Sequence, residues 1–319
     1  MIVSRFKNVE ELIDNNQDLP RNVKEQLKEN IRKLSSQPMN IMVTGATGCG
    51  KSSTINALFD TEKAVVGTGP SPETMDIRRY DLDNLVIWDS PGLGDGKEAD
   101  ERHAKNIIDK LHEKDNRGNL LIDLVLVILD GSSRDLGTSY DLINTVIIPN
   151  LGEKKEGRIL VAINQCDMAM KGRYWDVKKH LPEQPLIDFL EEKVRSVRKR
   201  ILDSTGVDVD PMYYSAGFKE KDMPQEPSFN INKLLYYIIS KAPEEKRIFV
   251  YNPRNRSSVE TDTQIEDRDY RRASHEIVKD STWKSVMKGA GGGAAIGYVF
   301  GGPVGAIVGA AIGGLFSWK

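Results

Sequence analysis

Residues 41–59 read IMVTGATGCGKSSTINALF. The stretch opens with apolar and β-branched residues that suit a buried strand and closes with KSSTINALF, whose spacing suits a helix. Between them, Gly45, Ala46, Thr47, Gly48, Cys49, Gly50, Lys51 and Ser52 form the pattern GxxxxGK[ST] in the strand-then-helix setting that gives it meaning. The glycines let backbone N–H groups turn inward, and the following helix adds the positive end of its dipole, so the segment predicts a cradle for a chain of phosphates. Lys51 is expected to reach the β and γ phosphates as a catalytic cation, Ser52 to hold Mg²⁺, and Ser53 to complete the binding set. Cys49 reads as a small residue that fits the loop rather than as a redox sensor.

Outward from this loop, short apolar runs alternate with helical patterns: MDIRRYDL, LVIWD, LVLVILD, ILVAIN and MYYSA, as far as Ala242. The alternation predicts an α/β fold, with a mostly parallel six-stranded sheet and helices on both faces. Upstream, Val9, Leu12, Ile13, Val23, Leu27, Ile31 and Leu34 recur at helical spacing, interrupted by Pro20, which predicts two amphipathic helices over residues 1–37. The nucleotide-binding domain is expected over 38–242, a polar linker over 243–266, a charged helix over 267–288 and a glycine-rich apolar segment over 289–319.

A chain of 319 residues with a net charge of -2 has no basic field to draw it to nucleic acid, and no nucleic-acid partner is expected. Only two cysteines occur, Cys49 and Cys166, which suits a reducing compartment, and the N-terminal residues lack the apolar core of a secretory signal. The expected location is cytoplasmic. His103, His112, His180 and His275 are scattered without metal-ligand spacing and imply no zinc site.

Two further elements bear on the ligand. LVIWD runs into Asp89-Ser90-Pro91-Gly92, where the aspartate can hold the Mg²⁺ water shell and the Gly92 N–H can sense a γ phosphate. ILVAIN runs into Asn164-Gln165-Cys166-Asp167, and Ser215-Ala216 follows MYY. A carboxylate at Asp167 can accept from guanine N1–H and the exocyclic amine, a donor pair adenine lacks. The expected ligand is GTP or GDP with Mg²⁺, with adenine kept as the alternative base.

Taken in order, these elements resemble the G motifs of the translation-factor-related GTPases, particularly the Era-like, septin-like and dynamin-like branches, over residues 38–242; KSSTINALF and DSPGLGDG carry the resemblance. It implies hydrolysis of GTP to GDP and phosphate, and that Thr74 in GPSPETMDI is the switch threonine, meeting both γ phosphate and Mg²⁺. Thr61 and Thr68 are less well placed for that role. Two positions depart from the pattern. Gln165 stands where the family has the lysine that lies on the base, which predicts weaker binding. Leu93 stands where Ras-like enzymes carry a water-orienting glutamine, and leucine cannot hydrogen-bond water, so slow intrinsic hydrolysis is expected. Asp95, Arg78 and Arg79 are candidate helpers, each also readable as a solvated surface residue. GRYWDVKKH, residues 172–180, is expected to form a helix beside the pocket, with a partner-contact surface as the other reading.

The C-terminal run from Gly289 to Phe316 carries no charge and places glycine at 289, 293, 297, 301, 305, 309 and 313. On one straight helix a four-residue period drifts about 40° per step, so a break at Gly301-Gly302-Pro303 into a helical hairpin gives the tighter glycine faces. Trp283 and Trp318 flank the run where interfacial aromatics would sit. The favoured expectation is a glycine zipper that self-associates and engages the inner face of a membrane, peripherally or integrally. The alternative is a soluble, septin-like assembly protein using the segment as an oligomer contact.

Overall fold

The computed structural model describes residues 2–17, 19–59, 76–94, 96–217, 226–251 and 261–288. In chain order these form α1 (Ile2–Asn15), α2 (Arg21–Ser35), β1 (Met39–Gly45), α3 (Lys51–Phe59), β2 (Arg78–Leu82), β3 (Leu85–Asp89), α4 (Lys97–His112) and β4 (Leu124–Asp130). There follow α5 (Gly137–Asp141), which continues into a wider π turn over Leu142–Ile147, then β5 (Ile159–Asn164), β6 (Trp175–Asp176), β7 (Leu181–Pro182), α6 (Gln184–Thr205), β8 (Met212–Tyr213), α7 (Ile231–Lys241) and α8 (Tyr270–Met287).

β1 lies inside the sheet because all seven of its residues are apolar or small enough to be buried on both faces. The strand order is β2-β3-β1-β4-β5-β8, with only the β2–β3 hairpin antiparallel. Strand alternation divides the side chains between two cores. Ile41, Val43, Leu126, Ile128, Leu160 and Ala162 face a layer made with α1, α2, α3, α7 and α8. Met42, Val125, Val127, Leu129, Val161 and Ile163 face α4, the π turn and α6. The parallel register sets Val43 beside Asp89, Gly45 beside Ile128, and Asp130 beside Asn164, so the loops leaving β1, β3, β4 and β5 all emerge at one edge.

Two expectations are corrected. Residues 172–180 contribute to a small hairpin, β6–β7, and not to a helix. Asp176 Oδ1 accepts from the N–H groups of Lys178 and Lys179, which closes a turn in place of a helical one, and Tyr174 and His180 have φ of 64° and 50°, outside the right-handed helical region. The stretch taken as a polar linker is built into the fold over its described part. Ile248, Phe249 and Val250 are buried in the first core, and Asp262 accepts from Ser228 Oγ, the N–H groups of Ile231 and Asn232, and Asn232 Nδ2, at 2.9–3.0 Å, which caps α7. Thr74, Asp95 and the glycine-rich run of 289–316 lie outside the described residues. No helix among the described residues is long and apolar enough to cross a membrane.

Candidate nucleotide site

The loop between β1 and α3 is shaped by contacts that leave no room for a side chain at Gly45 or Gly50. A Cβ on Gly50, which has φ of +88°, would stand 2.2 Å from Asn164 Nδ2. Asn164 is 2% exposed and ties three segments together. Its Nδ2 donates to Cys49 O at 3.0 Å, its Oδ1 accepts from the Ala216 N–H at 3.1 Å, and its carbonyl accepts from the Gly131 N–H at 2.7 Å. Gln165, at φ of 57°, donates from Nε2 to Gly48 O at 3.0 Å. The phosphate loop and the base-reading loop are thereby one hydrogen-bonded unit, with Ser215 and Ala216 buried against it.

Lys51, at the first position of α3, donates from Nζ to Gly45 O at 3.2 Å and Ala46 O at 3.0 Å. The ammonium is thus held over the loop it is expected to serve, where an arriving phosphate oxygen can exchange for a carbonyl partner. Ser52 and Ser53 follow in the same first turn, each partly exposed. The Cys49 thiol is fully buried, and burial pushes its pKa up, so it is a packing group and not a nucleophile.

Across the cradle, Asp89 ends β3 at 1% exposure. Burial pushes its carboxyl up to about 6, against the opposing pull of the Lys51 and Arg78 charges, and Oδ1 has no hydrogen-bond partner among the described residues. Thr44 Oγ1, on β1, is buried and unpartnered too. Asp167 repeats the pattern at the base-reading end, where Oδ1 is shielded from solvent and has no partner. Unsatisfied buried carboxylate oxygens are costly, and those of Asp89 and Asp167 are acceptors able to take donors from a ligand. The residues present therefore fit Mg²⁺ and a guanine nucleotide, with Ser52 and Asp89 as the described metal-side residues. Among the described residues, no three His, Cys, Asp or Glu side chains converge into a metal-chelating cluster.

Gly92 and Leu93 close the site from the β3 side. A Cβ on Gly92 would come within 2.3–2.6 Å of Thr47, and the Thr47 N–H donates to Leu93 O at 3.0 Å. Leu93 is buried, as its apolar side chain requires, and points to no role with water. Arg78 feels Asp89, whereas Arg79 leans on the Trp88 ring at 5.3 Å and pairs with Asp81 at 2.7 Å, away from the cradle.

Sequence reasoning passed over two contributors. Thr54 Oγ1 donates to Gly50 O at 2.8 Å and contacts the buried Tyr214 hydroxyl at 2.6 Å, which braces the cradle on the end of β8; nothing in the local pattern signals that pair. His103 is fully buried, with Nδ1 3.1 Å from Gly92 O. Its signal was the helical spacing of 103, 107 and 111, which places it on the buried stripe of α4 with Ile107 and Leu111.

The family model described as Interferon-inducible GTPase (IIGP) matches residues 5–112, which include the cradle and the Asp89–Gly92 loop. The chain is 43% identical over 70 residues to T-cell-specific guanine nucleotide triphosphate-binding protein 2 of Mus musculus, covering 20% of this chain and 17% of that protein. It is 29% identical over 171 residues to the uncharacterized protein YfjP of Escherichia coli (strain K12), covering 52% and 55%. It is 28% identical over 195 residues to the tRNA modification GTPase MnmE of Alkaliphilus oremlandii, covering 60% and 38%. The matched stretches thus span between 17% and 55% of those relatives' lengths. A solved structure of Toc33 from Arabidopsis thaliana aligns at 15% identity and a TM-score of 0.44 over 85% of this chain and 94% of that one, a superposition too loose to argue from. The strand order with its phosphate loop after β1 is that of a P-loop GTPase fold.

Proposed function

We propose that the protein binds GTP with Mg²⁺ and hydrolyses it slowly to GDP and phosphate, and that the bound nucleotide governs membrane association or self-assembly through residues 289–316. The observation that carries the nucleotide reading is the unpartnered, solvent-shielded Oδ1 of Asp167. It sits on a loop that Asn164 and Gln165 tie directly to the phosphate cradle. The matching family model, the mouse relative and the bacterial MnmE, whose names include guanine-nucleotide binding or GTPase, support the same ligand.

In this reading, Lys51 and the amides of residues 45–52 neutralise and orient the phosphates, and Ser52, Asp89 and Thr74 attend to the Mg²⁺ side. The ion, when bound, supplies charge for the leaving phosphate oxygens. Asp167 selects the base, with Gln165 lying flat beside it. Buried Leu93 offers the attacking water no hydrogen bond, which keeps the intrinsic rate low and leaves acceleration to another group, a partner or a second copy. Residues 61–76, and 92–102 from the turn after β3 into the start of α4, report the γ phosphate to the rest of the chain.

Phosphate release from purified protein with GTP and Mg²⁺ tests the enzyme reading, and liposome flotation with GDP or a non-hydrolysable GTP analogue tests the coupling. Slow turnover and nucleotide-dependent flotation are expected. Flotation in neither state, with nucleotide-dependent assembly in solution, would replace the membrane reading with that of a soluble septin-like scaffold.

A further inference from the structure

The imidazole of His103 has no place in the reading above, yet it touches one of its most constrained atoms. Nδ1 lies 3.1 Å from Gly92 O, and a carbonyl only accepts, so the bond requires the proton on Nδ1. Nε2 is buried with no partner among the described residues. A histidine kept only for packing is poorly served by such a position, because a leucine would fill the volume with no polar nitrogen left dry. One turn upstream on α4, Asp100 Oδ1 accepts from the Gly94 N–H at 2.9 Å. The two side chains grip the 92–94 segment from α4, one at a carbonyl and one at an amide. From the opposite side the cradle grips the same segment, through the Thr47 N–H to Leu93 O and the close approach of Gly92 to Thr47.

We infer that His103 is a positioning residue that fixes the Gly92 peptide between α4 and the phosphate loop, and so sets how strongly the site distinguishes a nucleoside triphosphate from a diphosphate. The inference rests on the GTP-binding reading. Gly92, whose missing Cβ lets Thr47 approach it closely, is the residue whose N–H would meet a γ phosphate, and the carbonyl on the other side of its Cα is the one His103 holds. When the Gly92 peptide answers the γ phosphate, the load passes through Nδ1 to His103 and along the rigid face His103–Ile107–Leu111 into the second core. α4 then moves with the nucleotide state, and without the imidazole only the Asp100–Gly94 bond is left to carry that movement.

The test measures equilibrium affinity for GDP and for a non-hydrolysable GTP analogue, with Mg²⁺, in the full chain and in three variants. His103→Asn places an amide N–H where Nδ1 stands; His103→Gln reaches the Nε2 position instead; His103→Leu removes both nitrogens. The ratio of analogue to GDP affinity should stay within about twofold of wild type in His103→Asn and fall about tenfold in the other two, with GDP affinity unchanged. Should His103→Leu fail to fold, the Asn and Gln pair carries the comparison. An unchanged ratio in a folded Gln or Leu variant overturns the inference, as does an equal loss of both affinities in all three variants, which would mark a purely structural residue. Wild-type protein that binds neither nucleotide would fail the underlying reading instead, a separate result.

Discussion

Two ends of the same sheet treat buried charge in opposite ways. At the end where β4 begins, Asp123 accepts from Lys246 Nζ at 2.7 and 2.9 Å and from the Asn40 N–H at 2.8 Å, so a carboxyl that burial pushes up is answered by a cation and an amide. At the end where β3 finishes, Asp89 is pushed up to about 6 by the same cause, and its Oδ1 is answered by nothing among the described residues. Desolvation is common to both, so what separates them is who supplies the partner. Asp123 is part of the fold's own closure, whereas no described residue closes Asp89 Oδ1 or Asp167 Oδ1.

That contrast is open to direct attack. The largest effect is expected at the cradle: Lys51→Ala should lower nucleotide affinity on the order of a thousandfold while leaving the far-ultraviolet spectrum intact. Affinity within a few-fold of wild type by titration calorimetry would show that Lys51 is not the phosphate cation. At the other end, Asp123→Ala strands Lys246, which is 13% exposed, and should destabilise the chain by about 3–5 kcal/mol in denaturant unfolding with little change in nucleotide affinity once folded. A variant as stable as wild type would remove the distinction between the two ends.

Asp89 predicts the reverse sign. The folded state holds its proton more tightly than the unfolded chain does, so this group's contribution to stability is complete below the ordinary carboxylate range. It is lost as pH rises from about 4 to about 6, by up to about 3 kcal/mol. Nucleotide-free Asp89→Asn should therefore lose less stability over that interval than wild type does, and above it should be at least as stable, while Mg²⁺-dependent affinity falls. Asp262 is also pushed to about 6, so the informative quantity is the difference between wild type and variant at each pH, not the slope of either. Superimposable stability curves would show that Asp89 is not under strain. The smallest effect is expected at Gln165, whose Nε2 bond to Gly48 O a lysine can keep while its longer stem covers more of the base. Gln165→Lys should tighten GTP and GDP binding alike by about three- to tenfold; an unchanged or weakened affinity would mean the side chain does not lie along the purine.

The parts of the molecule legible in the sequence are those whose cause is local or strictly spaced. Continuous apolar runs such as LVLVILD and ILVAIN are buried on both faces and became β4 and β5, and the GxxxxGK[ST] spacing located the cradle. The 172–180 hairpin was misread because aromatic and cationic spacing cannot show that Asp176 will take two backbone N–H groups and that Tyr174 will adopt a positive φ. The 243–266 stretch was misread because its polarity outweighs three consecutive core residues, Ile248–Val250, and because the donors that close on Asp262 come from residues some thirty positions earlier. His103 was set aside for want of a metal partner, when its partner is a backbone carbonyl brought beside it by the return of the chain into α4.

The base remains the point on which the account turns. Titrating GTP, GDP and ATP into wild type and Asp167→Asn measures it most directly. Wild type is expected to prefer GTP over ATP by about a hundredfold or more, and the variant to keep its fold but lose that preference. Equal affinity of wild type for ATP and GTP, or an Asp167→Asn variant that still prefers guanine, would contradict it.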